Sequence, residues 1–205
     1  MGLKKNESAG VRPALTARFR DALGFAAVLH ADQVRKGSDI PYVAHLLAVA
    51  STVIEQGGNE DLAIAALLHD AAEDQGGADI LARIRSLYGE TVAAVVEACS
   101  DAMESPKPPW RERKECYIGH LAEAPEDVLL VSLADKLHNA RAILRDYRDV
   151  GEALWERFRG GRAGTLWYYE TLAETFERCG KFRGLAGELR SVVDELVRTA
   201  GTAAS

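Results

Sequence analysis

Seven consecutive residues, Leu62 to Leu68, carry no polar side chain, and the chain passes from them straight into His69-Asp70-Ala71-Ala72-Glu73-Asp74. A helix that is apolar on nearly every side has no face for solvent and belongs inside a core. Charges joined to its end without an intervening loop are carried towards that core, where burial requires compensation. The positions i, i+1, i+4 and i+5 of one continuous helix, Glu60 to about Glu73, would set His69 above Glu73 and Asp70 above Asp74. A cation held among side chains from several helices would compensate the charges. One shared site would then hold a ligand pair and an acid/base pair.

The rest of the chain reads as helices separated by clear breaks. Pro13 suits the first turn of a helix carrying Leu15, Phe19, Leu23, Ala26 and Ala27 at three-and-four spacing and running to about Val34. Arg35 to Tyr42 is a loop by its Gly, Ser, Asp and Pro, and Pro41 is expected to open a second helix through Ile54 that ends at Gly57-Gly58. Asn59 is a reasonable N-cap for the third helix, and Gln75-Gly76-Gly77 stops it. Ile80, Ile84 and Leu87 mark a shorter amphipathic helix broken at Gly89, and Thr91 to Cys99 another, where Ala and Glu outweigh the strand-favouring valines. Ser105 to Pro109 is a stiff extended connection. A basic helix runs from Trp110 to Ala124, then a long one from Glu126 whose start is strand-like, and two or three amphipathic helices follow Gly151. No internal repeat and no alternation of strands with helices is present, so the expected class is all-α, a single orthogonal helical bundle of roughly eight or more helices.

Length and charge narrow the function. The 205 residues suit one domain with a substantial core, expected over 13–198, with residues 1–12 disordered and 199–205 a flexible tail. A net charge of -6 argues against a non-specific nucleic-acid binder that works by counterion release. Three cysteines, Cys99, Cys116 and Cys179, are odd in number and far apart, which suggests no disulfide framework and a reducing cytoplasm. The polar first residues lack a signal-peptide core, Asn6 stands where a myristoylation signal needs Ser or Thr, and no apolar stretch approaches the roughly 20 residues that span a bilayer. The chain reads as cytoplasmic, with neither nucleic acid nor membrane as partner; the acidic balance does not exclude a small anionic ligand, since a local basic cluster can operate on an acidic protein, and the oligomeric state is not legible.

Ionisable groups stand after or within apolar helical segments at His45, at His69-Asp70 with Glu73 and Asp74, and at Asp135 with Asn139 one turn on. Two imidazoles and two carboxylates form a mixed N/O set suited to a divalent metal such as Mn, Fe, Co, Zn or Mg, and leave positions for water and substrate. Singly each residue has a plainer reading: His45 as a satisfied core histidine, Asp70 as a cap, Asp135 and Lys136 as a solvated helix face.

In the order H…HD…D, His45, His69-Asp70 and Asp135 resemble the metal-binding signature of the HD-domain phosphohydrolase superfamily. More narrowly, Val34-Arg35-Lys36 before Pro41-Tyr42-Val43-Ala44-His45, the block His69 to Asp74, and Leu133-Ala134-Asp135-Lys136-Leu137-His138-Asn139-Ala140-Arg141 resemble the hydrolase domain of the RelA/SpoT alarmone enzymes. The resemblance covers about Pro13 to Phe176. With no room for a synthetase domain, the chain is similar to the stand-alone small alarmone hydrolases.

That resemblance implies an HD-type helical bundle in which His45, His69, Asp70 and Asp135 hold a metal, manganese being usual. It implies that Glu73 and Asp74 activate or orient the attacking water, that Arg35 and Lys36 lie near the phosphates, and that Tyr42 and Asn139 belong to the substrate site. The implied reaction removes the 3′-pyrophosphate from guanosine tetra- or pentaphosphate. Two departures bear on the substrate more than on the metal: the Arg35-to-His45 segment is one residue longer than the family pattern, and Ala71-Ala72 replaces a bulkier pair. The alternatives are a phosphohydrolase or nucleotidase for another nucleotide, and an HD module that binds a nucleotide without turnover. His30 reads as packing or support for the site, His120 and His138 as peripheral, Arg111, Arg113 and Lys114 as a solvated charge run, and Trp167-Tyr168-Tyr169 as core.

Overall fold

The computed structural model describes residues 14–100, 106 and 108–202. Among them there is no β-strand; the chain forms helices α1 (Ala17–Leu29), α2 (Val43–Glu55), α3 (Glu60–Leu68), α4 (Ala71–Gln75), α5 (Gly77–Tyr88), α6 (Glu90–Cys99), α7 (Trp110–Leu121), α8 (Glu126–Val150), a 3-10 turn Gly151–Arg157, α9 (Gly161–Cys179) and α10 (Arg183–Thr202). The all-α expectation holds, strand-like starts included. Val128 to Val131 are buried within α8, where a helix surrounded by other helices needs no polar face.

Every residue of Leu62–Leu68 is buried, as the apolar run requires. Its helix starts where Asn59 Oδ1 accepts the Leu62 N–H at 3.0 Å, satisfying one of the amides that no helix can pair internally. Packed around α3 are α1, α2, α6 and α8. The 25-residue α8, about 37 Å long at 1.5 Å per residue, also carries α2 on one stretch and α10 on another.

Three expectations are corrected. The first helix ends at Leu29, not Val34, because the backbone leaves helical angles at His30 (φ -106°, ψ 21°) and the next amides close tighter turns, Ala31 N–H to Val28 O and Gln33 N–H to His30 O. Its expected start at Pro13 lies outside the described residues, as do the expected disordered N-terminus and residues 203–205 of the expected tail, whereas residues 199–202 of that tail continue α10. Pro41 does not open α2: it faces Val34 across a short antiparallel bridge, with Arg35 N–H to Ile40 O at 2.8 Å and Tyr42 N–H to Gln33 O at 2.9 Å, and the helix begins at Val43. The third correction bears directly on function. The continuous helix Glu60 to Glu73 is broken into α3 and α4 by a turn at His69-Asp70. No Gly or Pro marks the break. His69 Nδ1 instead donates to the Ala66 carbonyl at 2.8 Å, a side-chain bond that competes with the helix ladder.

Candidate metal centre and adjoining cavity

The turn between α3 and α4 decides where the charges of the opening motif go. With its Nδ1–H committed to Ala66, the His69 imidazole turns Nε2 in the opposite direction, the nitrogen whose lone pair a cation would take on displacing its proton. His45, one turn into α2 and fully buried, is fixed in the same way by a different partner: its Nδ1 lies 2.8 Å from Nδ1 of His138 on α8. Both histidine Nε2 atoms are buried and have no hydrogen-bond partner. They face two carboxylate oxygens. Asp70 Oδ2 lies 2.9 Å from His69 Nε2 and 3.5 Å from His45 Nε2, and Asp135 Oδ1 lies 3.2 Å from His45 Nε2 and 3.6 Å from His69 Nε2.

One donor atom from each of His45, His69, Asp70 and Asp135 falls within 4.8 Å of the others. Bonds of about 2.0–2.2 Å to a single ion span nearly that distance across the ion. Two orphaned imidazole nitrogens aimed at two carboxylates are what a divalent cation would satisfy, so the residues present fit one. The mixed N/O donors favour a borderline or hard divalent metal over a structural zinc on thiolates.

The carboxylates are themselves held. Tyr42 donates its hydroxyl to Asp70 Oδ2 at 2.6 Å; Lys136 Nζ reaches Asp135 Oδ2 at 2.6 Å and Asn139 Nδ2 reaches Asp135 Oδ1 at 2.5 Å. Burial alone would favour the neutral forms, but the His69 and His45 rings hold Asp70 well below the usual carboxylate range, and Lys136 with the two rings does the same for Asp135. The reciprocal effect appears at His69, where burial opposes the charge but Asp70 and Asp135 outweigh it and raise its pKa well above that of a free histidine. His138 goes the other way. Burial, His45 and Arg35 push it down to about 4, so at neutral pH it is an uncharged ring able to accept the His45 Nδ1–H.

Beside the cluster lies a cavity of about 400 Å³. Tyr42, Lys136 and Asn139, which touch the buried carboxylates, are part of its wall, so the cavity abuts the four donors. Its basic side chains are Arg35, Lys36, Lys114, Lys136 and Arg145, against two carboxylates, Asp74 and Asp146. An excess of cations in one cavity of a protein with net charge -6 marks a place for an anionic small molecule. Arg35 Nη2 donates to Asn139 Oδ1 at 2.6 Å, joining the cavity wall to Asp135 through one amide.

The structure therefore brings His45, His69, Asp70 and Asp135 into one cluster and Arg35, Lys36, Tyr42, Asp74 and Asn139 onto the cavity beside it. Glu73 is half-buried on α4 and is not part of the cavity wall. Three expectations change. His138 is not peripheral, since it holds a cluster histidine; it stands three residues after Asp135 on one helix, a spacing that shares a face and could have signalled the role. The basic run divides. Arg113 is buried with Nε on the Pro108 carbonyl and Arg111 lies over the Trp167 ring, while Lys114 lines the cavity. Tyr168 and Tyr169 are core residues as expected, yet both also form cavity wall beside Trp110.

The chain is similar to known proteins. A Xenopus tropicalis protein named guanosine-3′,5′-bis(diphosphate) 3′-pyrophosphohydrolase MESH1 is 38% identical over 132 residues, 63% of this chain and 71% of that one. Its human namesake is 34% identical over 132 residues with the same shares. A solved structure described as a metazoan ortholog of SpoT that hydrolyzes ppGpp aligns with a TM-score of 0.67 at 25% identity, covering 91% of this chain and 97% of that one. A solved Listeria monocytogenes protein aligns with a TM-score of 0.66 at 27% identity over 75% of this chain. The HD-domain family model matches residues 22–166. That stretch runs from α1 into α9 and takes in every helix that supplies the cluster, and on that extent the chain belongs to the HD-domain family.

Proposed function

We propose that this chain is a manganese-dependent hydrolase that removes the 3′-pyrophosphate from guanosine tetra- or pentaphosphate. The observation that carries the reading is the contact between a four-donor cluster and a cavity whose wall is rich in cations. A polyphosphorylated nucleotide fits that charge, and the relatives named above carry this reaction in their names. When bound by His45, His69, Asp70 and Asp135, a divalent cation supplies Lewis acidity, lowering the pKa of water and drawing charge from phosphoryl oxygens.

The protein's own groups account for the other requirements. Arg35 and Lys36 place positive charge against the phosphates, Arg35 by the bidentate geometry that suits a phosphoryl group. Glu73 and Asp74 take the water proton or hold the water in line. Water oxygen bonds to phosphorus, the ribose 3′ oxygen leaves with a proton, and pyrophosphate is released. Tyr42 and Lys136 keep Asp70 and Asp135 ionised and oriented, and Asn139 links Asp135 to Arg35 and to the nucleotide. Residues 13–198 would form this hydrolase unit. Among the described residues no helix is long and apolar enough to cross a membrane, which suits a cytoplasmic enzyme acting on a diffusible nucleotide.

The test is to incubate the manganese-loaded protein with alarmones and a panel of purine nucleotides, alongside His69→Ala and Glu73→Ala. The expected result is pyrophosphate release from 3′-pyrophosphorylated guanosine nucleotides, loss of metal in His69→Ala, and retained metal with lost turnover in Glu73→Ala. Turnover of another nucleotide only would overturn the substrate assignment.

A further inference from the structure

We infer that Gln33 is a positioning residue for Asp74, locked in one orientation by His30 and Gln75, and that it fixes how that carboxylate addresses the reacting water. The inference rests on the proposal that Asp74 handles water. Gln33 lies in the loop after α1 and forms part of the cavity wall, and its side-chain Nε2 donates to Asp74 Oδ2 at 2.8 Å. Its other amide atom, Oε1, lies 2.6 Å from His30 Nδ1 and 2.5 Å from Gln75 Nε2.

The amide can face only one way. Turned over, it would set its oxygen against the Asp74 carboxylate and its NH2 against that of Gln75. With Oε1 towards His30, the ring must carry its proton on Nδ1, because an oxygen accepts and cannot donate. In the neutral ring His30 Nε2 is then an acceptor, and it is buried without a hydrogen-bond partner. A buried polar atom left unsatisfied asks for an explanation, and here the geometry that orphans it is the one that points the Gln33 N–H at Asp74.

The same unit reaches the metal cluster from its other side. The His30 ring stacks on Tyr42, centroids 5.2 Å apart and planes inclined by 20°, and the Tyr42 hydroxyl donates to Asp70 Oδ2. The backbone adds a third tie, from Tyr42 N–H to Gln33 O at 2.9 Å. His30, at the end of α1, thus braces Asp74 through Gln33 and Asp70 through Tyr42. One carboxylate belongs to the proposed water pair and the other to the proposed ligand set, so their relative placement is set by one buried ring.

The full chain, manganese-loaded, is assayed on guanosine tetraphosphate as wild type, Gln33→Leu, Gln33→Glu, Asp74→Asn and Gln33→Leu/Asp74→Asn, with manganese affinity measured calorimetrically for each. Misplacing a catalytic group by about 1 Å costs ~100-fold, so Gln33→Leu is expected to lower kcat by ~10–100-fold with KM and manganese affinity unchanged. Gln33→Glu, which sets a like charge against Asp74, falls further. In the Asp74→Asn background, Gln33→Leu is expected to cost nothing more, the non-additivity of residues acting as a unit. Independent losses in the double variant would overturn the inference, and so would loss of manganese binding in both Gln33 variants, which would make the residue a general structural element. An inactive Asp74→Asn with a fully active Gln33→Leu overturns the inference alone. A fully active Asp74→Asn overturns the reading of Asp74 and the inference with it.

Discussion

Replacing His138 by Phe keeps an aromatic ring against His45 and removes the acceptor of its Nδ1–H. His45 is fully buried, so the freed N–H finds no water to replace the 2.8 Å contact. Leaving a buried donor unmade costs about 1–3 kcal/mol, and the imidazole recovers that energy only by turning, which takes Nε2 away from Asp70 Oδ2 and Asp135 Oδ1. Outer partners of metal-binding histidines are worth roughly 10–100-fold in metal affinity, about 1.4–2.7 kcal/mol, which agrees with that range. Titration calorimetry with manganese should therefore show affinity reduced ~10–100-fold in His138→Phe, with turnover largely recovered at saturating metal. His138→Gln, whose amide oxygen can accept the same bond, should recover part of the affinity. An unchanged manganese affinity in His138→Phe would refute the reasoning, because it would show that His45 needs no acceptor to hold its tautomer.

Two further outcomes follow from the same geometry. The raised His69 pKa means that the metal-free protein keeps a proton on that ring above the ordinary value of about 6.5, and a cation must displace it. The His69 contribution to metal-free stability is complete below about pH 6.5 and lost as pH rises through the raised folded value, whereas metal binding gains over that window. Manganese should release a proton on binding, and the rise in Tm that it produces should grow from pH 6.5 upward; a pH-independent rise would contradict the assignment. Gly37, at φ +76°, lies in the loop between α1 and α2 beneath Arg157, whose side chain would meet an added Cβ at 2.5 Å. Gly37→Ala should displace the neighbouring Arg35 and Lys36 and raise KM for the nucleotide with manganese affinity unchanged; an unaltered KM would show that the loop does not set substrate binding.

How much of this could be read in the sequence depends on what kind of signal each residue leaves. His45, His69-Asp70 and Asp135 stand in apolar surroundings where a polar residue is costly, and their convergence was legible before any coordinates. The break after Leu68 was not. Ala71 and Ala72 favour helix, and what ends α3 is a bond from a side chain to a carbonyl that leaves no mark in composition. Arg111, Arg113 and Lys114 looked alike as a charge run, yet tertiary neighbours gave them three different environments. Gln33 was weak as an isolated polar residue because its side-chain partners Asp74 and Gln75 lie 41 and 42 positions away in sequence, and His30 because its role runs through Gln33.

The account turns on whether the cluster and the cavity act together on one molecule. Chromatographic analysis of guanosine tetraphosphate incubated with the manganese-loaded protein tests this most directly. The prediction is guanosine diphosphate and pyrophosphate in equal amounts, formed by the wild type and not by His69→Ala. Release of single phosphates, or equal product formation by the protein stripped of divalent metal, would contradict it.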